Sequence, residues 1–193
     1  GMVDRLKAGA KVADVGCGAA TSTVAMGEAF PESTFNAYDI SVKALARARD
    51  NIDASGLGNV HLFNSGSDPL PEDGSLDFVT TFDVIHDSTH PADLIGAIRR
   101  SLKDDGIWLC ADIKGGSSFE ENLKTNPFAG MAYSFSVLVC MSSGLSTPDG
   151  AGLGTLGFHE QKAREMTGDA GFSCFRVVEY EGDQFNSFYE IRP

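Results

Sequence analysis

Three aspartates and one histidine stand where apolar strand-like runs give way to turns, and each side chain has a chemical use there. Asp14 lies in the run Lys11-Val12-Ala13-Asp14-Val15, just ahead of the glycine turn Gly16-Cys17-Gly18. Asp39 closes a second run, Thr34–Asp39; Asp83 lies near the end of a later run, Leu76–Ile85, and His86 directly follows it. A glycine turn between strand and helix lets backbone approach a ligand closely, and the helix start leaves N–H groups free to receive an anion. A carboxylate at the end of the following strand can hold a ribose. An imidazole, with an ordinary pKa of about 6.5, can take a proton from a substrate near neutral pH. These residues therefore describe a hollow for a nucleoside-bearing cofactor and a candidate base, His86. The competing readings are structural: Asp14 satisfying turn N–H groups, Asp39 favoured by a helix dipole, and His86 capping a strand end or bonding Asp83 or Asp87.

The elements that must position them alternate strand and helix. Lys11–Gly16 reads as a strand and Ala20–Phe30 as a helix ended by Pro31. Thr34–Asp39 is the second strand, followed by a helix capped by Ser41 and stopped by Gly56 and Gly58. Val60–Asn64 is a third strand, and the Pro- and Gly-punctuated stretch 65–74 is a loop. Leu76–Ile85 is a long strand, and Pro91 opens a helix with Leu94, Ala97, Ile98 and Leu102 on one side. The Lys103-Asp104-Asp105-Gly106 turn closes that helix, and Ile107–Ile113 reads as a central strand covered on both faces. After a helix at His159–Ala170, the strands Phe172–Val178 and Phe185–Ile191 are joined so tightly that they form an antiparallel hairpin. The result is an α/β fold with an open, mostly parallel sheet. Residues 114–157 break the alternation and read as an insertion or cap on one domain spanning 1–193; Met131 and Tyr133 are candidates for an acceptor pocket, and the glycines of 144–157 for a loop over the site.

Composition narrows the partners. A net charge of −12, with the basic residues scattered, excludes a nucleic-acid backbone as the expected ligand and favours a small-molecule substrate. The chain has neither an apolar run of membrane-spanning length nor a signal-peptide layout, so no membrane partner is expected and the location is read as cytoplasmic. Cys17, Cys110, Cys140 and Cys174 show no metal-ligand spacing and read as reduced, structural thiols, with no metal expected.

The glycine turn fails the dinucleotide fingerprint G-x-G-x-x-G, because Thr21 stands at the third glycine, and a nicotinamide cofactor loses weight. What remains is Asp-x-Gly-x-Gly. A carboxylate there is a poor neighbour for a pyrophosphate and a good one for a cation, which favours S-adenosylmethionine, whose amino-acid end carries an ammonium group. Asp14-Val15-Gly16-Cys17-Gly18, Tyr38-Asp39-Ile40-Ser41, the 70–77 stretch and the 101–106 turn together resemble the class I S-adenosylmethionine-dependent methyltransferases. That resemblance implies a Rossmann-like three-layer sandwich with strand order 3-2-1-4-5-7-6 and strand 7 antiparallel. It also implies that Asp14, Gly16, Cys17 and Gly18 cradle the methionine end, with Asp39 on the ribose and Ile40 on the adenine. Asn64, Ser65 and Gly66 would lie beside the adenine amino group, and Phe82 and Asp83 would line the methionine end.

A narrower similarity links Phe82–Asp87, Asp112–Lys114, Asn122-Leu123 and Gly150–Thr155 to bacterial proteins in which a methyltransferase domain follows a winged-helix domain. Only about ten residues precede the first strand, so that cover is absent here: either the chain is a piece of a longer protein, or it closes its site as a homodimer. The expected function is methyl transfer to a small-molecule acceptor, with His86 as base. The alternative is a non-catalytic, S-adenosylmethionine-binding regulatory module.

Overall fold

Buried residues on both faces mark Lys11–Val15 (β1) and Leu76–Phe82 (β4) as interior strands, and they pair in parallel from Val12 opposite Phe78 to Val15 opposite Thr81. The computed structural model describes every residue from Gly1 to Pro193. In chain order the elements are α1 (Met2–Ala8), β1, α2 (Thr21–Ala29), β2 (Thr34–Asp39), α3 (Val42–Ser55), β3 (Val60–Asn64), β4, α4 (Pro91–Ser101), β5 (Leu102–Ile113), α5 (Phe119–Thr125), α6 (Ala129–Phe135), α7 (Met141–Gly144), α8 (Glu160–Asp169), β6 (Cys174–Val178) and β7 (Asn186–Arg192). A 3₁₀ turn at Ile85–Asp87 precedes α4, and a π turn at Ser136–Cys140 joins α6 to α7. The seven strands form one sheet in the order β3-β2-β1-β4-β5-β7-β6, with β7 antiparallel, as the resemblance implied.

Two compact units can be distinguished: Gly1–Phe82 with Arg100–Leu109 and Arg192–Pro193, and Asp83–Arg99 with Cys110–Ile191. In the first, Leu6, Ala10, Val12, Phe35, Val60, Phe78 and Ile107 form a buried cluster, with Met26, Phe30 and Ile52 packed on it. Ser41 caps α3 by accepting a hydrogen bond from the Ala44 N–H at 3.3 Å, and the helix stops at Gly56, whose φ of 68° suits a residue without a side chain. Asp77 accepts hydrogen bonds from Arg5 Nη2 (2.6 Å), Lys103 Nζ (2.7 Å) and the Lys11 N–H (2.9 Å), tying α1, β1 and β5 to the start of β4.

In the second unit, Ser118 caps α5, receiving the Glu121 N–H at 3.1 Å. Asn122, only 2% exposed, accepts from the Gly116 N–H at 2.7 Å and donates to the Tyr133 hydroxyl at 3.1 Å, fixing α5 against α6. Ile85, Ile95, Ile98, Phe158 and Tyr189 are fully buried here.

Several boundaries differ from those the sequence suggests. The 103–106 segment, expected as a turn, lies inside β5, where Lys103 and Asp105 are held by Asp77 and Arg5. Strand β4 ends at Phe82 rather than Ile85, because Asp83 takes a φ of 57°, outside the extended region. Residues 114–157 contain three helices, and α1 was not anticipated at all.

Candidate active site

The turn after β1 is fastened to the end of β2. The N–H groups of Gly16 and Cys17 both donate to the Tyr38 carbonyl, at 2.8 and 2.9 Å, and the Gly18 N–H donates to Asp39 Oδ2 at 2.8 Å. Gly16 and Gly18 hold φ of 73° and 56°, which a residue bearing Cβ adopts only with strain. The space on the Cβ side of Gly18 is open, with nothing within 4 Å. Ala20, at φ 57°, occupies the N-cap of α2 and offers no capping side chain, so the first turn of that helix keeps its N–H groups for another partner. Asp39 Oδ1 accepts from the Ser41 N–H at 2.8 Å. Ile40 beside it is 74% exposed, an unusual state for an isoleucine at a strand end. Asn64 Oδ1 accepts from the Gly66 N–H at 2.9 Å, the Ser65 N–H donates to the Asp39 carbonyl at 3.0 Å, and Gly66 lies alongside Ile40.

Asp14, expected to face a ligand ammonium directly or through water, is 1% exposed and accepts from three hydroxyls: Thr23 Oγ1 at 2.5 Å, Ser22 Oγ at 2.9 Å and Thr80 Oγ1 at 2.9 Å. It pins α2 and β4 to β1. Burial raises its pKa, the hydroxyls oppose that rise, and the charge of Asp39 adds to it. The same burial, with both carboxylates nearby, pushes the Cys17 thiol up to about 12, so it acts as an inert apolar wall. The N–H groups of Gly16, Cys17 and Gly18 are likewise engaged within the chain.

The second unit contains a cavity of about 670 Å³ that opens to solvent. One wall is apolar, built by Phe128, Met131, Phe135, Val139 and Phe185, with the rings of Phe128 and Phe185 4.9 Å apart. The polar side is formed by Asp83, His86, Asp87, Lys114, Cys140 and Thr155. His86 is 4% exposed, and its Nδ1 lies 2.6 Å from Oδ1 of Asp112, which is wholly buried at the end of β5. Burial lowers the His86 pKa, but the bond to Asp112 and the charges of Asp112, Asp87 and Asp83 outweigh it and leave the imidazole above its ordinary value. Asp83 is held toward Asn186 Nδ2, at 3.2 and 3.3 Å, and burial raises its pKa. A buried imidazole with Nδ1 on a carboxylate turns Nε2 toward its surroundings as the atom that exchanges protons.

The structure thus gathers Asp39, Ile40, Asn64, Ser65, Gly66 and the Gly16–Gly18 turn in the first unit, with Phe82 half-buried at the end of β4. Asp83 and His86 line the cavity of the second unit, together with Met131. Tyr133 faces Asn122 and Phe119 instead. Sequence reasoning missed Asp112 as the partner of His86; its signal was an acid ending an otherwise apolar central strand, where parallel sheets place their ligands. It also missed Asp87 and Cys140 as cavity walls, for which the linear pattern held no signal.

Comparison with known proteins bears on this arrangement. A family model described as a methyltransferase domain matches residues 6–176. The demethylmenaquinone methyltransferase of Geobacillus stearothermophilus is 32% identical over 106 residues, 54% of this chain and 45% of that protein. The chain therefore spans about half the length of the curated relatives it matches. Among solved structures, a SAM-dependent methyltransferase from Aquifex aeolicus aligns with a TM-score of 0.64 at 20% identity, covering 94% of this chain and 82% of that one. An O-methyltransferase family protein from Burkholderia thailandensis aligns with a TM-score of 0.70 at 20% identity, covering 99% and 55%. With most of its length inside that family model and the strand order the family requires, the chain belongs to the methyltransferase domain family, in its class I, S-adenosylmethionine-dependent branch.

Proposed function

We propose that this domain transfers a methyl group from S-adenosylmethionine to a small-molecule acceptor bearing an ionisable O–H or similar group, with His86 as general base. The observation that carries the reading is the buried His86–Asp112 pair, at 2.6 Å, on the polar side of a cavity whose opposite wall is aromatic. The name of the demethylmenaquinone methyltransferase relative supports a small-molecule acceptor.

The turn after β1 and the end of β2 are the place proposed for the methyl donor. The open space at Gly18, the uncapped start of α2, the carboxylate of Asp39 and the exposed Ile40 answer a chain of amino acid, ribose and adenine in turn. When bound, S-adenosylmethionine supplies a methyl group already activated by its sulfonium. The protein's own part is to hold the acceptor in line with that methyl group, exclude water and remove the acceptor proton. Asp112 fixes the imidazole so that Nε2 receives the proton, and its charge stabilises the imidazolium that results.

The test has two arms. Calorimetric titration with S-adenosylhomocysteine is expected to give saturable binding that His86→Gln preserves. Release of S-adenosylhomocysteine, measured across a panel of phenols, hydroquinones, carboxylic acids and amines, is expected to fall by about 10²–10⁴-fold in His86→Gln. No binding refutes the donor assignment. Turnover unaffected by the substitution refutes the base, and binding without turnover on any acceptor favours the regulatory-module reading.

A further inference from the structure

His86 has a second neighbour that general-base chemistry does not use. Its Nε2 lies 3.3 Å from Asp87 Oδ1, but without hydrogen-bond geometry, and that oxygen is sealed from solvent with no hydrogen-bond partner at all. An unsatisfied buried carboxylate oxygen is costly and calls for an occupant. The third member is Cys140, at the end of the π turn; its Sγ, His86 Nε2 or Nδ1, and a carboxylate oxygen of Asp87 all lie within 4.8 Å of one another.

We propose that His86, Asp87 and Cys140 form a binding site for a single transition-metal ion of the zinc class, with its remaining coordination position open to the cavity. The donor set argues for the class. One imidazole, one carboxylate and one thiolate suit Zn²⁺ or Co²⁺, whereas Mg²⁺ and Ca²⁺ prefer oxygen donors throughout. Three protein ligands with a vacant fourth position is the layout of a zinc site that handles substrate rather than one that only staples the fold.

The surroundings argue for a built site. Asp112 holds His86 Nδ1 at 2.6 Å, which leaves Nε2 as the ligand atom, the carboxylate–histidine–metal arrangement. The Thr155 hydroxyl donates to Cys140 Sγ at 2.9 Å and holds the sulfur beside the 3₁₀ turn's side chains. The Ser143 hydroxyl donates to the Asp87 carbonyl at 2.9 Å and ties α7, just after Cys140, to the 3₁₀ turn that carries the other two ligands. Asp83 and Glu121 also line this cavity, so its field favours a cation over the Lys114 ammonium alone.

Every ligand comes from this chain and none from donor or acceptor, so metal binding is tested apart from methyl transfer. An ion on Nε2 would take the lone pair that the base of the proposed methyl transfer uses, so metal-bound ligand and free base are alternative states of His86.

The test uses the whole chain, stripped with a chelator and titrated with Co²⁺ alone and with Zn²⁺ alone. Expected are saturation at one ion per chain and, for Co²⁺, a thiolate-to-metal charge-transfer band in the near ultraviolet. Cys140→Ser is expected to abolish the band, and Cys174→Ser, at an exposed thiol, to leave it intact. Asp112→Asn is expected to weaken Zn²⁺ binding by about 10–100-fold while the band persists at saturation. Absence of saturable binding to the unaltered chain overturns the proposal, as does a band that survives in Cys140→Ser. Loss of S-adenosylhomocysteine binding or of turnover has no bearing on these signals, so failure of the methyltransferase reading remains separable.

Discussion

Replacing Asp112 by asparagine tests the electrostatic core of the proposed chemistry without requiring a known acceptor. Asp112 is fully buried, His86 is 4% exposed, and their 2.6 Å contact is the shortest route by which a charge supports the imidazolium. A hydrogen bond to a charged group contributes about 1.5–3 kcal/mol. Its loss lowers the His86 pKa. Burial acts in the same downward direction and is the largest single influence on this ring, while the charges of Asp87 and Asp83 remain. The variant's His86 is therefore expected to titrate at lower pH than the ring of the unaltered protein, whose acidic partners together outweigh burial and hold it above the ordinary value. The assay is an NMR titration of the imidazole Cε1–H signals; the chain has four histidines, and His86→Gln identifies the relevant one. The sign for stability follows. Because the folded pKa is raised, the pair stabilises the fold fully below the unfolded value and loses that contribution as pH rises through the folded pKa. Urea denaturation should therefore show the largest gap between the two proteins on the acid side. A His86 resonance that titrates at the same pH in both proteins would refute the reasoning.

Other expectations concern the first unit. Asp39→Ala removes the carboxylate proposed to hold the ribose and frees the Gly18 and Ser41 N–H groups. Affinity for S-adenosylhomocysteine, read by calorimetry, is expected to fall by about 10–100-fold, the equivalent of one charge-assisted hydrogen bond. Asp77→Asn should act on stability and leave that affinity unchanged. Burial raises the Asp77 pKa, but Lys103, the Lys11 N–H and Arg5 outweigh it and hold the carboxyl below its ordinary value. The loss at neutral pH is expected to be about 1–2 kcal/mol, moderated by the partial exposure of Arg5 and Lys103. Because a depressed carboxyl stabilises above its unfolded pKa and ceases to as pH falls through the folded one, the gap to the unaltered protein should close in acid.

The sheet was legible in the sequence because interior parallel strands must be apolar on both faces, a pattern few other elements share. Asp39 and His86 stand out for a related reason: one ends such a strand and the other follows one, where a polar side chain is either capping or functional. The hydrogen-bond partners of Asp14 were not legible because they are tertiary. Ser22 and Thr23 lie in the first turn of α2 and Thr80 on β4, and nothing in a linear pattern shows that a helix turns its hydroxyls inward. The completely buried Thr23 was the trace available, a polar residue on the face that packs against the sheet. Asp112 was visible as a residue but not as a partner, since its meeting with His86 depends on where the chain runs after each strand. In 114–157, short helices carrying exposed Phe119, Val137 and Leu138 lack the one-sided apolar spacing by which a helix is usually recognised.

The π turn at Ser136–Cys140 has an evolutionary corollary. Such a turn is an ordinary helix with one residue inserted, and each inserted residue swings everything beyond it by about 100° around the axis. Removing a single codon there would restore a regular helix and rotate the thiol and the serine that follows it away from their neighbours, with hardly any change in composition. Descendants of this chain could thus gain or lose the sulfur-lined wall through indels alone. Homologues sorted by segment length should diverge in chemistry more sharply than those sorted by percentage identity.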